Sequence, residues 1–569
     1  MSDSTAIVVR GSAPPVFEAP DNDRVDRLLN LRNQLVEVRD PWDTLYSEAA
    51  QFLCPIYKDF DIDRDNRGEK LTREVFNSKP ISFLNTVSSG LQGYLTPESG
   101  NWMLLETEDD RVMSQPGVRA YLQAGQKHLM EVFTYNGFYT TLAESYPALV
   151  GLGTATALGV EDETQEMLRW RAMHPKQVWI HQNYIGQIDT WMFVIWMTAS
   201  SAMSFYGPGK FSEKFRQAAE ANPFRDVKVN VFMMPRHVRE ASLPDQKNMP
   251  WALYHVFEEE KSLLWEGGAK QSLAITARWS KNSDEAYGRG WGLDVLSDVL
   301  RLNQLTKAEL LAAQWAVDPA WAFPSEMREE IDLVPGARIP FFNPSKTVQP
   351  ISVGGDYSVG KDVINQLELS ISEQLMVTFF LSLQQLKGDR TATEVLELQG
   401  EKAAILGTLV NRTYNEMIIP MVSRTWESEK AHGRLPPAPK ALSGEKLRLS
   451  FVGPLAQIQK RFHAQQGVSQ TLAMLAPIVE FSQGSVLDVV KWDELGRHVL
   501  DESSFPQKAI NDKRETEQIR AAKAKRAAEA QKLEQMEAMG KAGPGLAALQ
   551  EASQKQPPQG GSISPPLGQ

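Results

Sequence analysis

The sequence predicts an α+β protein that is mainly α-helical, and three features lead to this prediction. Apolar residues recur at three- and four-residue spacing in long segments such as 80–95 and 360–381, as in amphipathic helices. Between 168 and 280 the pattern changes, and residues 227–231 alternate apolar and polar with the period of a strand. The 569 residues are 42% hydrophobic and 23% charged, which suits a globular chain with more than one packing unit.

Composition and charge exclude several classes of protein. A formal net charge of −11 argues against a protein that grips nucleic acid over a broad basic surface. The single cysteine, Cys54, excludes a disulfide framework and a cysteine-based zinc cluster. The first 22 residues lack the pattern of a signal peptide, and the most apolar run, Trp191–Met203, is shorter than the roughly 20 residues that span a bilayer. We therefore expect no membrane segment and read this run as a buried strand.

The N-terminal quarter is predicted to be helical after a disordered arm at 1–20. One helix begins near Val25, and a new one restarts at Asp40-Pro41, with Asp40 as N-cap and Pro41 in the first turn. The charged residues 56–75 are interpreted as a loop. A further helix is predicted from Pro80 to Leu95, and 115–150 is expected to be mainly helical. The buried face of the helix at 80–95 is predicted to contain Leu84, Val87, Leu91 and Leu95.

The segment 168–280 is predicted to form a mixed, mostly antiparallel β region embedded in the helical protein. Glu266-Gly267-Gly268 is interpreted as a turn between two of its strands. Besides 227–231, the strand candidates are Val178–Ile180, Gln187–Met197, Trp251–Glu258 and Leu273–Trp279.

Two long helices are predicted next, at 292–316 and 360–381, on either side of a segment rich in Pro and Gly. A polar loop follows at 382–391. Thr391 and Glu394 have the spacing of a capping box, so another helix is expected to start there and run towards Met417.

The end of that helix has its own signals. Pro420 should kink it or end its first half, and Gly433 is the expected C-terminal stop.

The C-terminal part is predicted to contain a helical pair at 454–500 and a long polar helix at 508–540. At 1.5 Å per residue that helix would be about 50 Å long. Its apolar stripe is thin, so it would need copies of itself, or solvent, around it. Residues 541–569 are rich in Gly and Pro and are expected to be a disordered tail. The stripe consists of Ile510, Ile519, Leu533 and Met536.

Two near-motifs raise alternatives that the residues themselves argue against. Gly355–Asp362 has the glycine and lysine spacing of a P-loop, but Asp362 stands where Ser or Thr should bind magnesium. Asp63–Glu74 has the spacing of a calcium loop, but Arg67 takes a ligand position. We therefore expect no cofactor and no metal site, and no group of residues supports catalysis.

Several segments in order resemble the portal, or head-to-tail connector, proteins of short-tailed bacteriophages. The resemblance extends over roughly 25–530 and implies the portal fold. The segments are Leu95-Thr96-Pro97 with Trp102, Gly151–Val160, Glu285-Ala-Tyr-Gly-Arg-Gly, Thr391-Ala-Thr-Glu-Val, Glu416–Pro420 with Gly433-Arg-Leu-Pro, and Val452-Gly-Pro-Leu-Ala.

This resemblance implies a division of the chain into portal subdomains. The β region would belong to a wing made of helices and mixed sheet, and two stem helices would flank a clip. The implied divisions are a disordered arm (1–20), the wing (21–291), the first stem helix (292–316), the clip (317–358), the second stem helix (359–381), the tunnel loop (382–391), the wing helix and return (392–453), the crown (454–505), the C-terminal barrel helix (506–540) and a disordered tail (541–569).

The resemblance also implies a function without catalysis. Twelve copies would form a ring at one capsid vertex, through which double-stranded DNA is packaged by the terminase large subunit and later ejected. A tail adaptor, the major capsid protein and the scaffolding protein would be further partners. The protein would be in the virion at the head-tail junction, and in the host cytoplasm during assembly. In the tunnel loop, Lys387 and Arg390 would touch phosphate, and Gln384 and Gln385 would offer neutral hydrogen bonds.

Two other functions remain open from the residues alone. One is a nucleotide-binding enzyme that uses Gly355–Lys361. The other is a scaffold or adaptor without a channel that oligomerises through 508–540, although charged and Ala residues occupy too many heptad positions there for a sustained coiled coil.

Overall fold

The chain divides into two units, Met1–Leu472 and Ala473–Gln569. In the second unit, residues 518–526 are helical with exposed side chains, which confirms the predicted 508–540 helix over that stretch. The predicted arm, crown and tail lie outside the described residues, and the subdomain divisions stay predictions. The computed structural model describes residues 21–61, 68–113, 115, 117–162, 166–240, 242–243, 245–317, 321–322, 349–350, 357–384, 407, 410–442, 447–453, 516 and 518–526.

Helices form most of the N-terminal part of the first unit. α2 buries all four leucine and valine side chains that its spacing selects, so the helical predictions for 80–95 and for 115–150 are confirmed. The helices are α1 (Asp21–Leu53), α2 (Lys79–Leu95), α3 (Asp110–Met113), α4 (Val118–Tyr135) and α5 (Phe138–Gly151).

α1 is one continuous helix, so the predicted restart at Asp40-Pro41 is wrong. A proline inside a helix removes a backbone donor and usually costs about 3 kcal/mol. In α1 both sides of Pro41 are held by tertiary packing. Val25 and Leu28 lie in one apolar core, whereas Tyr46 and Leu53 lie in another, larger one. The helix therefore joins the two cores.

Antiparallel sheets confirm the predicted β region, which begins earlier than predicted, at Thr154. The strands are β1 (Met103–Thr107), β2 (Thr154–Asp162), β3 (Met167–Met173), β4 (Val178–Gln182), β5 (Ile188–Thr198), β6 (Asp226–Pro235), β7 (Trp251–Phe257), β8 (Ser262–Ala269), β9 (Ala274–Arg278), β10 (Trp321–Ala322), β11 (Gln349–Pro350) and β12 (Leu447–Phe451). One sheet has the order β4-β5-β6-β7-β8 and another has the order β3-β2-β9, while β1 pairs with β12 and β10 with β11.

The five-stranded sheet is covered on both faces. Phe232 and Tyr254 face the smaller core, where α1 packs. Val229 and Phe257, paired across β6 and β7, face the larger core together with Phe215. Two short helices cover this second face, α6 (Ala199–Tyr206) and α7 (Glu213–Ala221). The buried strand predicted for Trp191–Met203 is confirmed at Trp191–Val194, whereas Trp196 is 37% exposed. The strand ends at Thr198, and α6 follows it.

Glu266-Gly267-Gly268 is part of β8 and not a turn, which corrects the prediction. The glycines are there because neighbouring groups come close. A Cβ on Gly267 would collide with the Trp265 ring, and one on Gly268 would collide with the Gln246 carbonyl. Glycine inside a strand often marks such a close approach of backbone or ring.

The later helices are α8 (Trp291–Asp294), α9 (Leu296–Val317), α10 (Tyr357–Gln374), α11 (Val377–Gln384) and α12 (Ile419–Ala431). The helix predicted to run without interruption over 360–381 is broken at Leu375 and Met376. The helix before Gly433 does not end at Pro420. A π-helical turn at Tyr414–Ile418 precedes the proline, and such a wider turn leaves room for its ring. Gly433, with φ +69°, follows α12 as predicted.

None of the helices described is long and apolar enough to cross a membrane.

The contact between α6 and the sheet predicts an acid sensitivity. The Tyr206 hydroxyl lies 2.7 Å from Nδ1 of His255, whose ring packs edge-on against Trp265. Burial lowers the pKa of His255 to about 4 from 6.5, so the unfolded chain binds a proton more readily. The contribution of neutral His255 to the free energy of unfolding is complete above pH 6.5 and is lost as the pH falls towards 4. At pH 5 the loss is about 1–2 kcal/mol.

Replacing His255 with Gln keeps a partner for Tyr206 and removes the titration. The drop in melting temperature between pH 7 and pH 5 should therefore be smaller in His255→Gln than in the wild type. Burial also lowers the pKa of His174 to about 4, so part of the drop should remain. An equal drop in the two proteins would contradict this explanation.

Candidate functional site

α9 and α10 form an antiparallel pair, called the stem hairpin below. At one end, Nε2 of Gln374 in α10 donates to Oδ2 of Asp298 in α9 over 3.2 Å. Beyond the other end, Trp321 and Ala322 pair with Gln349 and Pro350. The first and second predicted stem helices therefore pack side by side, and most of the predicted clip, 317–358, lies outside the described residues.

A polar cluster holds the base of the stem hairpin against the segment that leads into α2. Oδ1 of Asn303 accepts the backbone N–H of Phe76 at 2.7 Å, and its Nδ2 donates to the Glu74 carbonyl at 3.0 Å. Nδ2 of Asn77 donates to Oγ1 of Thr306 in α9 at 3.3 Å and to Oε1 of Glu368 in α10 at 3.1 Å. Both helices are thus fixed to one short segment.

Several apolar side chains along the stem hairpin are exposed within the described part of the chain. Val317 is 87% exposed and Leu369 is 65% exposed, and Leu310 and Leu311 are 48% and 49% exposed. On α9, Leu310 and Val317 are seven residues apart on one side, whereas Leu311 and Trp315 are four apart on another. We call this the stem apolar surface. It comprises Leu310, Leu311, Trp315, Val317, Val363 and Leu369.

α11 leads from the stem hairpin to the predicted loop at 382–391, and its last three residues lie inside that predicted range. Gln384 is the last residue of α11, so residues 382–384 are helical. Gln385, Lys387 and Arg390 lie outside the described residues, so their contact with DNA stays a prediction.

A junction of glycines connects the start of the stem to α5 and β2. Gly153 has φ +108°, and a Cβ there would collide with the backbone of Arg289 and Gly290. Gly288 and Gly292 pack in the same way against the carbonyls of Gly153 and Gly151. The Tyr-Gly-Arg-Gly pattern therefore serves close packing of backbone, not dinucleotide binding.

Arg39 is the most enclosed cation near this junction. Its side chain is 3% exposed, and Nη1 and Nη2 donate to the carbonyls of Val178 and Pro175 at 2.6 and 2.9 Å. Nε pairs with Oδ1 of Asp43 at 2.6 Å, and the guanidinium lies 4.9 Å from the Tyr287 ring centroid. Burial raises the pKa of Tyr287, so this phenol stays neutral. Arg39 thus joins α1, β4 and the segment before α8.

Two carboxylates at motif segments, Glu416 and Glu429, each contact residues of other elements. Glu416, in the π-helical turn, accepts from the Arg278 backbone at 2.8 Å and pairs with its guanidinium at 2.9 Å. The buried Glu429 in α12 lies 2.7 Å from Nε2 of His128 and 2.9 Å from Nη1 of Arg434. Glu416 therefore connects the π-helical turn to β9, and Glu429 connects α12 to α4.

The segments around Trp102 and Val452 also meet. The backbone N–H of Val452 donates to the Trp102 carbonyl at 2.8 Å, and Phe451 stacks on Trp102 with an angle of 6° between the rings. Of the segments that carry the resemblance, all that lie in the described part of the chain are therefore packing junctions.

The structure describes only part of each near-motif. In the P-loop-like segment, residues 357–361 lie in α10, which begins at Tyr357, so these residues do not form a loop around a phosphate. Asp63 and Asp65 lie outside the described residues. Among those described, no three His, Cys, Asp or Glu side chains are grouped as metal ligands.

Sequence reasoning missed the residues that hold the stem in place. Asn77, Asn303 and Glu368 are ordinary helix or loop residues locally, and their partners in the polar cluster lie more than 200 residues away in the sequence. The only signal was polarity on a helix face that should be apolar, as at Glu368 between Ile364 and Ile371.

Comparison with known proteins assigns most of the chain to one protein family. Residues 25–510 match the family described as "Bacteriophage head to tail connecting protein". The portal protein of Salmonella phage epsilon15 is 24% identical over 537 residues, which cover 91% of this chain and 93% of that protein. The probable portal protein of Bordetella phage BPP-1 is 25% identical over 447 residues, 76% of this chain and 79% of that protein.

Proposed function

Because the chain belongs to the family of bacteriophage head to tail connecting proteins, we propose that copies of it form a ring that conducts DNA at one vertex of the capsid. Membership makes it a structural connector of the virion, between capsid and tail, and not an enzyme. The finer proposal is a ring of twelve around a central channel. Double-stranded DNA would pass through it during packaging by the terminase large subunit and again during ejection.

The stem apolar surface is the observation that carries the ring. Exposed apolar residues arranged together on a soluble helix pair indicate a contact with another protein. Two sides of α9 expose such residues, as a head-to-tail ring requires, because each copy then presents different faces to its two neighbours. The described helix 518–526, with exposed Ile519, supports the same arrangement for the proposed barrel.

The proposed partners follow from the order of segments. Residues 317–358 would meet the terminase and later the tail adaptor, and the wing would meet the major capsid and scaffolding proteins. Ring assembly would take place in the host cytoplasm before the connector is enclosed in the virion. The net charge of −11 per chain supports a channel, because a conduit should not hold phosphates tightly.

The mass and symmetry of the purified protein test the ring. Light scattering should give about twelve chains per particle, and negative-stain top views should show a ring with a central hole. A monomer or dimer that persists after mixing with the capsid and scaffolding proteins would overturn the proposal.

Neutralising the two cations of the proposed loop tests the contact with DNA. In Lys387→Gln/Arg390→Gln we expect normal rings but less packaged DNA, or DNA that is lost from filled heads, because two phosphate contacts are removed. The measurement is the length and amount of DNA protected in heads.

The matched control removes the same charges elsewhere. Lys127 and Arg119 are exposed on α4, and Lys127→Gln/Arg119→Gln should package like the wild type. Full-length DNA and normal infectivity in the loop variant would contradict the proposed contact.

A further inference from the structure

We propose that α2 fixes the bend between α10 and α11, and so sets the direction in which the chain enters residues 385–390. The role of those residues in the channel is part of the proposed function, and to that extent this inference depends on it. The bend itself, and the contacts that hold it, lie in the described residues.

The first contact is at the start of α2. Oδ1 of Asn77 accepts the backbone N–H of Lys79 at 3.0 Å and so caps the helix. Nδ2 of the same residue donates to Thr306 and Glu368, and the Lys79 ammonium pairs with Glu368. The beginning of α2 is therefore bonded to both helices of the stem hairpin, on the α10 side of the bend.

The second contact is near the other end of α2. A Cβ on Gly90 would lie closer to the Phe380 ring than real Cβ atoms come, so only glycine lets α11 approach this far. The Tyr94 ring lies 6.1 Å from the Phe380 ring, and Phe380 is buried. This contact is on the α11 side of the bend.

Between the two contacts the backbone takes a conformation that it would not choose locally. Met376 has φ +54°, which typically costs about 1–2 kcal/mol for a residue with a Cβ. The N–H of Met376 donates to the Glu373 carbonyl at 2.9 Å, and α11 restarts with Phe379 donating to Met376 at 3.0 Å. The flanking Leu375 and Val377 are buried, so tertiary packing holds the bend.

A single helix, α2, therefore spans the bend. Lys79 and Gly90 are 11 residues apart, which is about 16 Å along a helix axis. With α10 fixed at one of these points and α11 at the other, the angle between them follows from α2. A side chain added at position 90 alone should therefore alter the angle between α10 and α11.

The test is a distance across the bend in Gly90→Leu. Spin labels on Gln366→Cys in α10 and Leu381→Cys in α11, both exposed, report it by pulsed electron paramagnetic resonance, with labelled chains diluted into unlabelled ones. Cys54 is buried, and burial raises its pKa to about 12, so it should not react with the label. We expect one narrow distance in the parent and a shifted or broadened one in Gly90→Leu.

Two matched variants separate positioning from general damage. Gly90→Leu/Phe380→Ala exchanges the large and small partners and should return the parent distance. Gly93→Leu makes the same change in α2 where a Cβ meets nothing within 4 Å, and should leave the distance unchanged. An unchanged distance in Gly90→Leu, or no recovery in the double variant, would overturn the inference.

If Gly90→Leu does not fold, Asn77→Ala loosens the first contact instead. This variant should broaden the distribution of distances between the two labels. An unaltered distribution would contradict the proposed role of α2. Packaged DNA gives the second readout, which should fall in Gly90→Leu and recover in the double variant. A shifted distance with normal packaging would instead overturn the channel role of 385–390 and leave the positioning by α2 in place.

Discussion

Replacing Arg39 with methionine is expected to destabilise the protein by about 3–5 kcal/mol, a large part of the stability of a typical domain. Methionine keeps an unbranched apolar stem of similar size but removes the guanidinium. The carbonyls of Val178 and Pro175 would then lose buried donors, and the Asp43 carboxylate would lose its cation. The free energy of unfolding from urea denaturation measures the effect.

Arg32 on the same helix provides the control. It pairs with Glu258 at 2.7 Å, but its side chain is 27% exposed, and exposed pairs contribute at most about 1 kcal/mol. Arg32→Met should therefore change little. Equal losses in the two variants would mean that Arg39 acts only through its apolar stem and not through its bonds.

The sequence predicted elements wherever the local pattern and the tertiary packing agree. α2 has its leucines and valine on one face, and this face is the one buried in the large core. Val227, Val229 and Val231 alternate along β6 because one face of that sheet meets the large core. In both cases the spacing of the apolar residues is enough to identify the element as a helix or a strand.

The predictions failed where distant partners override a local signal. Pro41 is a helix breaker by itself, but packing on both sides keeps α1 whole. Gly267 and Gly268 read as a turn, but they serve close contacts inside β8. The break at Met376 has no signal in the sequence at all, because no glycine or proline marks it.

The same reasoning explains which part of the site was predictable. Segments rich in glycine, such as 285–290, stand out in a sequence, and they prove to be places where backbones touch. Asn77 and Asn303 do not stand out, because an amide that bonds a distant backbone looks like any polar residue. The glycine-rich motifs therefore predicted where backbones pack together. The polar cluster that holds the stem hairpin could not be predicted, because its partners are distant in the sequence.

The stem apolar surface should respond to charge far more strongly than its exposure in one chain suggests. In a single chain Trp315 is 46% exposed, so a charged residue there costs little. In a ring the same position would be desolvated between copies, where an unpaired carboxylate costs several kcal/mol. The contact also repeats around a closed ring, so one substitution weakens every interface.

Trp315→Glu is therefore expected to prevent ring formation while each chain stays folded. Light scattering should give the mass of one chain, with circular dichroism and melting temperature close to those of unassembled wild type. Phe224, 82% exposed in the loop between α7 and β6, provides the control, and Phe224→Glu should still form rings. Rings of normal mass in Trp315→Glu would mean that the stem apolar surface does not lie between copies. A different part of the chain would then have to hold the connector together.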